Sequence, residues 1–239
     1  MDRRQFLKNA MIIGGSSLVP FSKAHAATTI NSLPYTVMAP GKYILSANLS
    51  INIDVGAAIS VKANHVVLDL NGKIITNTNG STTRAVGVAT LNKGVTHLSV
   101  LNGTLQGFHT GLYLGGDCEG ATGHFIDKIT CTGCYASGIL LGGTGHIVNR
   151  SNISLVSRSS LVDLGGCTGA LGIGLRGSSG CLIQKTTINL NDSGEGDGSV
   201  CIFCDDNSKD TVILECAMSN ADAGIVFDED GATGDYRDN

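Results

Sequence analysis

The sequence predicts an all-β chain wound into a coil of stacked parallel strands, and three observations predict it. Charged residues make up 15% of the 239, Gly numbers 33 and Trp is absent. That charge share is low against about 25% in an ordinary soluble domain, and the composition suits neither a disordered chain nor a helical bundle. Short apolar runs bounded by Gly, Asn, Ser or Asp recur with a long period, which is strand-and-turn punctuation. No segment after residue 60 keeps a 3.6-residue apolar period long enough for a helix.

Taken in order, residues 1–26 are expected to be an export leader. Arg3, Arg4 and Lys8 form a basic start, Ala10 to Phe21 a short apolar stretch, and Ala24-His25-Ala26 a small-x-small cleavage site. Residues 27–239 form the single expected domain. One set of runs carries a small residue at or near its start: Val86-Gly87-Val88, Gly111-Leu112-Tyr113-Leu114, Gly138-Ile139-Leu140-Leu141, Gly172-Ile173-Gly174-Leu175, Val200-Cys201-Ile202-Phe203 and Gly224-Ile225-Val226-Phe227. A second set begins near Val66, Leu98, Phe125, Ile147, Leu182 and Val212, with successive starts 32, 27, 22, 35 and 30 residues apart. A hairpin meander would need turns every 8–12 residues and no longer repeat. Units of this length cannot each bury their own apolar side chains, but units stacked about 4.8 Å apart can. The Gly- and Ser-rich stretch Ser159–Ala170 falls where the spacing swells, and is expected to be a loop leaving the stack. The polar end, Asp228 to Asn239, supplies no apolar cap. Either the acidic tail blunts that edge, or a partner covers it, or the chain is a truncated relative.

Two stretches resemble known patterns. Asp2-Arg3-Arg4-Gln5-Phe6-Leu7-Lys8 resembles the twin-arginine signal, through Arg3, Arg4, Phe6 and Leu7. The resemblance implies bacterial export in a folded state, to the periplasm or beyond. Val66-Val67-Leu68-Asp69-Leu70-Asn71-Gly72, with Leu101-Asn102-Gly103 one period later, resembles the coil of proteins of the pectin-lyase-like superfamily. This implies a right-handed parallel β-helix of about six to seven coils over residues 40–230. It says little of activity, because that fold hosts lyases, hydrolases and adhesins alike.

Four histidines, His65, His97, His124 and His146, each precede a run of the second set. Strand alternation then puts them in one outward row about 4.8 Å apart. Such a row could share Zn²⁺ or Cu²⁺, or meet an anionic glycan; the alternative is like residues stacking at a turn. Residues 190–239 hold thirteen Asp or Glu against Lys209 and Arg237, a net of −11. Residues 27–189 hold ten cations against six acids, a net of +4. The acidic end could hold Ca²⁺ through oxygen ligands or serve as a solvated end. It also resembles a coil of polygalacturonase-type hydrolases at Gly196-Asp197-Gly198 and Ala223-Gly224. Asp197 matches, whereas the second Asp is Gly198 and the His is Ala223, and the Arg-x-Lys clamp has no counterpart. Asp205 and Asp206 are the remaining catalytic candidates, although strand neighbours point to opposite faces.

The eight cysteines include Cys131–Cys134 and Cys201–Cys204. Export permits disulfides, with Cys118, Cys131 and Cys134 as a local group; core packing is the alternative. By alternation Cys201 and Cys204 should face apart. Net charge of −4 and 5% aromatics oppose nucleic acid. The leading functional expectation is a non-catalytic protein presenting a flat face to polysaccharide or to the cell envelope. The rivals are a lyase or hydrolase with an unfamiliar site and a metal-binding protein. For sugar stacking, Tyr43, Tyr113 and Tyr135 are the candidate aromatics.

Overall fold

The computed structural model describes residues 26–90, 94–115, 120–157, 169–190, 198–228 and 232–237. Among them there is no helix, and every strand pairing is parallel. The chain passes alternately between two sheets. The first runs through Thr28–Ile30, Gly41–Leu45, Val66–Asn77, Leu98–Gln106, Phe125–Thr132, Ile147–Asn149, Leu182–Gln184, Thr211–Leu214 and Gly234–Arg237. Leu49–Ile51, Asn152–Ser154, Thr187–Asn189 and Ala217–Ser219 extend it sideways, for thirteen strands. The second holds eight: Tyr35–Val37, Ala57–Val61, Val86–Ala89, Thr110–Leu114, Ser137–Thr144, Leu171–Ser179, Val200–Cys204 and Ala223–Phe227.

Like residues stack because each pass pairs with the one before it. Leu68, Val100, Ile126, Val148, Ile183 and Ile213 form one inward column. All six are 0% exposed. Ile59, Val88, Leu112, Ile139, Ile173 and Ile202 form another from the opposite sheet. Each such side chain contributes about 1.5–3 kcal/mol by burial, and no single pass could bury its own. On the last pass the same columns end at the exposed Tyr236 and the half-exposed Ile225.

The small residue of the apolar runs has a steric cause. A Cβ on Gly111 would lie 2.5 Å from Cys131 Sγ and 2.7 Å from the Gly138 carbonyl oxygen; one on Gly138 would lie 2.6 Å from Ile153 Cγ2. The two sheets meet along this column, and only one later pass puts a side chain there, Cys201 opposite Gly172. Cys201 and Ile202 therefore both face inward, and Cys204 does too. The expectation that Cys201 and Cys204 face apart is corrected: strict alternation fails where the sheet bends into the next.

Bends in the first sheet are marked by left-handed residues. One column is His65, His97, Gly123, Gly145, Gly180 and Asp210; a second is Asn71, Asn102, Lys128, Arg150, Lys185 and Glu215. The two are five residues apart in every pass except the first, where they are six apart and the register shifts between Asp69 and Lys73.

Candidate functional site

The histidines occupy two columns rather than one. Val66 pairs with Leu98, so His65 lies over His97; their rings stack at 4.9 Å and 15°, exposed. Phe125 pairs with Ser99, so Gly123 lies over His97 and His124 lies over Leu98. His124 and His146 then stack at 4.8 Å and 11°, each 0% exposed. The single outward row is thus corrected: a slip of one residue moves a side chain to the other face.

The buried pair replaces carbonyls in the hydrogen-bond ladder. His124 Nδ1 accepts the Leu98 N–H at 3.3 Å, and His146 Nδ1 accepts the His124 N–H at 3.1 Å. Each neutral ring therefore carries its proton on Nε2. That of His146 donates to the Gly142 carbonyl at 2.9 Å, while that of His124 is buried without a partner. Burial, reinforced by His146 and His97, holds the His124 pKa down at about 3. Burial also lowers that of His146, against the opposing Gly142 bond.

Neither stacked pair has the geometry of a chelate. Two imidazoles on one Zn²⁺ must aim their lone pairs at a point about 2.0–2.1 Å from each, which near-parallel rings cannot do. Among the described residues, no three His, Cys, Asp or Glu side chains are grouped to hold a metal ion.

Among the catalytic candidates, Asp197 lies outside the described residues, as do Arg3, Arg4, Phe6, Leu7 and Ala24 of the leader; Ala26 is exposed. Asp205 serves the backbone: its carboxylate accepts the Gly177 N–H at 2.8 Å and the Ser208 hydroxyl at 2.7 Å. Asp206 is exposed and bonds the Asn207 side-chain amide. Six cysteines, Cys131, Cys134, Cys181, Cys201, Cys204 and Cys216, are buried free thiols. Burial pushes Cys134 and Cys204 up to about 12, and Cys181 and Cys201 up to about 11. Cys118 and Cys167, and residues 159–168 of the expected loop, lie outside the described residues. Tyr43 is buried against Tyr35 with ring centres 6.2 Å apart, so it offers no stacking platform, while Tyr113 and Tyr135 are half-buried.

Two surface features remain: the first takes in Gly198 and Ala223 from the hydrolase-like stretches, and no sequence motif pointed to the second. A partly open cleft of about 420 Å³ lies on the outer face of the second sheet, between Val200, Phe203 and Val226, with Asp222 and Asp228 among its lining residues. Asp222 accepts both the N–H and the hydroxyl of Ser199. The other feature is the outward face of the first sheet. Thr104/Gln106, Thr130/Thr132, Asn152/Ser154 and Thr187/Asn189 stack there in two columns of hydroxyls and amides. Leu105, Cys131, Ile153 and Ile188 between them point into the core. The signal was present as a polar-x-polar triplet in four successive periods, hidden by the apolar residue at its centre.

No protein-family model matches the chain, and no curated protein matches it. No helix among the described residues is long and apolar enough to cross a membrane. The protein is all-β, with two parallel sheets, the first of which carries columns of hydroxyls and amides on its outward face.

Proposed function

We propose that this is an exported right-handed parallel β-helix of the pectin-lyase-like kind, sent out by the twin-arginine route, that binds polysaccharide or an envelope component without cleaving it. The observation that carries this reading is the paired hydroxyl and amide columns on the first sheet. They form a rigid, flat set of donors and acceptors, and the intervening side chains anchor them in the core. The bound roles of Asp205 support the non-catalytic part, since glycoside hydrolysis generally needs a positioned pair of free carboxyls.

One observation favours an enzyme: Asp222 and Asp228 share the cleft beside Phe203. The test separates the two readings. The purified chain is run through gels containing neutral and uronic-acid polymers, and the same polymers are assayed for reducing ends and unsaturated products. Retarded migration without product is the expected result. Product formation abolished by Asp222→Asn or Asp228→Asn establishes the enzyme instead.

A further inference from the structure

The cleft on the second sheet owes its shape to a step in side-chain size. Ala223 and Val226 stand in register with Val200 and Phe203 of the pass before. Each is smaller than the residue it stands over, so the outer face falls away into a hollow there. The floor is fixed from one pass further back. Phe203 pairs with Gly174, where a Cβ would lie 2.5 Å from Leu140 Cδ2 and 2.7 Å from Leu171 Cδ2. Those two leucines fill the place that Gly174 leaves, and they pack with Val200 and Phe203 as an apolar cluster separate from the core. Val200 and Phe203 are buried, whereas Ala223 and Val226 are half-buried. The hollow of about 420 Å³ falls within the roughly 300–1,000 Å³ of small-molecule sites.

The charge at the hollow has one sign. Asp222 and Asp228 flank the strand Ala223–Phe227, and no Lys, Arg or His is among the described lining residues. Asp222 is exposed, yet its carboxylate is held in place. Its Oδ2 accepts the Ser199 N–H at 2.9 Å and the Ser199 hydroxyl at 3.2 Å, while the Asp222 N–H donates to Ser199 Oγ at 3.0 Å. These bonds engage Oδ2 and the backbone, so Oδ1 keeps its lone pairs for another donor. The net charge of −11 over residues 190–239 raises the local concentration of cations around it.

We propose that this cleft binds a small organic amine in its ammonium form. The apolar body lies on Val200, Phe203 and Val226, the ammonium donates to Asp222 Oδ1, and Asp228 adds to the negative field. Charge complementarity selects a cation over an anion. The apolar walls select an organic cation over a metal ion, which would need several oxygen ligands. A neutral apolar molecule would strip water from the carboxylate and give it no partner. The site lies on the second sheet and is independent of the carbohydrate reading of the first.

The test titrates the full chain with phenethylammonium, its neutral counterpart 2-phenylethanol, phenylacetate, methylammonium and Nα-acetyl-lysine N-methylamide. Phenethylammonium is expected to bind about fivefold or more tighter than each of the others. Asp222→Asn keeps an acceptor for Ser199, so its melting temperature should be unchanged while its preference for phenethylammonium over 2-phenylethanol is lost. Glu215→Gln removes the same charge from the first sheet and should leave the affinity as it was. Val226→Trp fills the hollow and should abolish binding of phenethylammonium, with migration through polysaccharide gels unaltered. No binding of phenethylammonium, equal binding of 2-phenylethanol or methylammonium, an equal loss in Glu215→Gln, or undiminished binding in Val226→Trp overturns the proposal. Tighter binding of the lysine derivative overturns it in favour of a protein side chain. Each of these outcomes leaves the carbohydrate reading standing, because that reading is scored by the gels.

Discussion

His124 occupies the inward place that Leu98 holds one pass earlier, and its Nδ1 accepts the Leu98 backbone N–H at 3.3 Å. A side chain thereby does the work of a carbonyl between two strands, and His146 repeats the arrangement one pass on. Protonation of either Nδ1 turns the acceptor into a donor facing a donor.

Stability should therefore fall with acid before the carboxylates titrate. The folded pKa of His124 is about 3, below the ordinary 6.5, so between those values the unfolded chain binds more protons. The contribution is fully present above pH 6.5 and is lost as pH falls toward 3. The slope is about 1.4 kcal/mol per pH unit for each fully titrating imidazole, and His146 adds in the same direction. Urea midpoints taken from pH 7.5 to 5 should be level at first and then decline, with a shallower decline in His124→Leu. A level curve throughout would show that the buried pair does not titrate on unfolding.

Gly138→Ala should destabilise by about 1–3 kcal/mol through overpacking, because the added methyl meets Ile153 Cγ2 at 2.6 Å and the Gly172 carbonyl at 2.8 Å. Gly145→Ala meets nothing within 4 Å and carries only the strain of its φ of +66°, about 1 kcal/mol. Chemical denaturation of both variants checks the order; Gly145→Ala as the worse variant would contradict the close approach of the sheets.

Asp205→Ala removes the acceptor of the Gly177 N–H and of the Ser208 hydroxyl. The expected cost is about 1–3 kcal/mol of stability, with polysaccharide binding at the first sheet unchanged. A variant as stable as the parent would deny the carboxylate its structural role.

The six buried thiols should resist alkylation in the native state. Thiolate is the reactive form, and burial holds Cys134 and Cys204 near 12. Iodoacetamide at pH 8, followed by peptide mapping, should modify these six only after denaturation. Rapid native labelling of Cys131 or Cys204 would mean that the interior opens.

The strand positions were legible in the sequence. Runs expected near Val66, Leu98, Phe125, Ile147, Leu182 and Val212 coincide with strands of the first sheet, because each is a short apolar run set among turn-forming residues. Parallel stacking of the strands followed from the long period, whereas their division between two sheets was not read. The short side strands Asn152–Ser154, Thr187–Asn189 and Ala217–Ser219 were not read, since a single apolar residue at the centre gives no periodicity to count.

The amino-acid sequence by itself determined where the chain extends and where it turns, because those preferences are local to a few residues. Only the tertiary structure decided which residues face inward. The cause is the left-handed bend: it falls on His97 in one pass and on Gly123 in the next, so the imidazole that follows Gly123 turns into the core while His97 stays outside. That choice depends on the pairing between passes 22 to 35 residues apart, and no short window of sequence contains it.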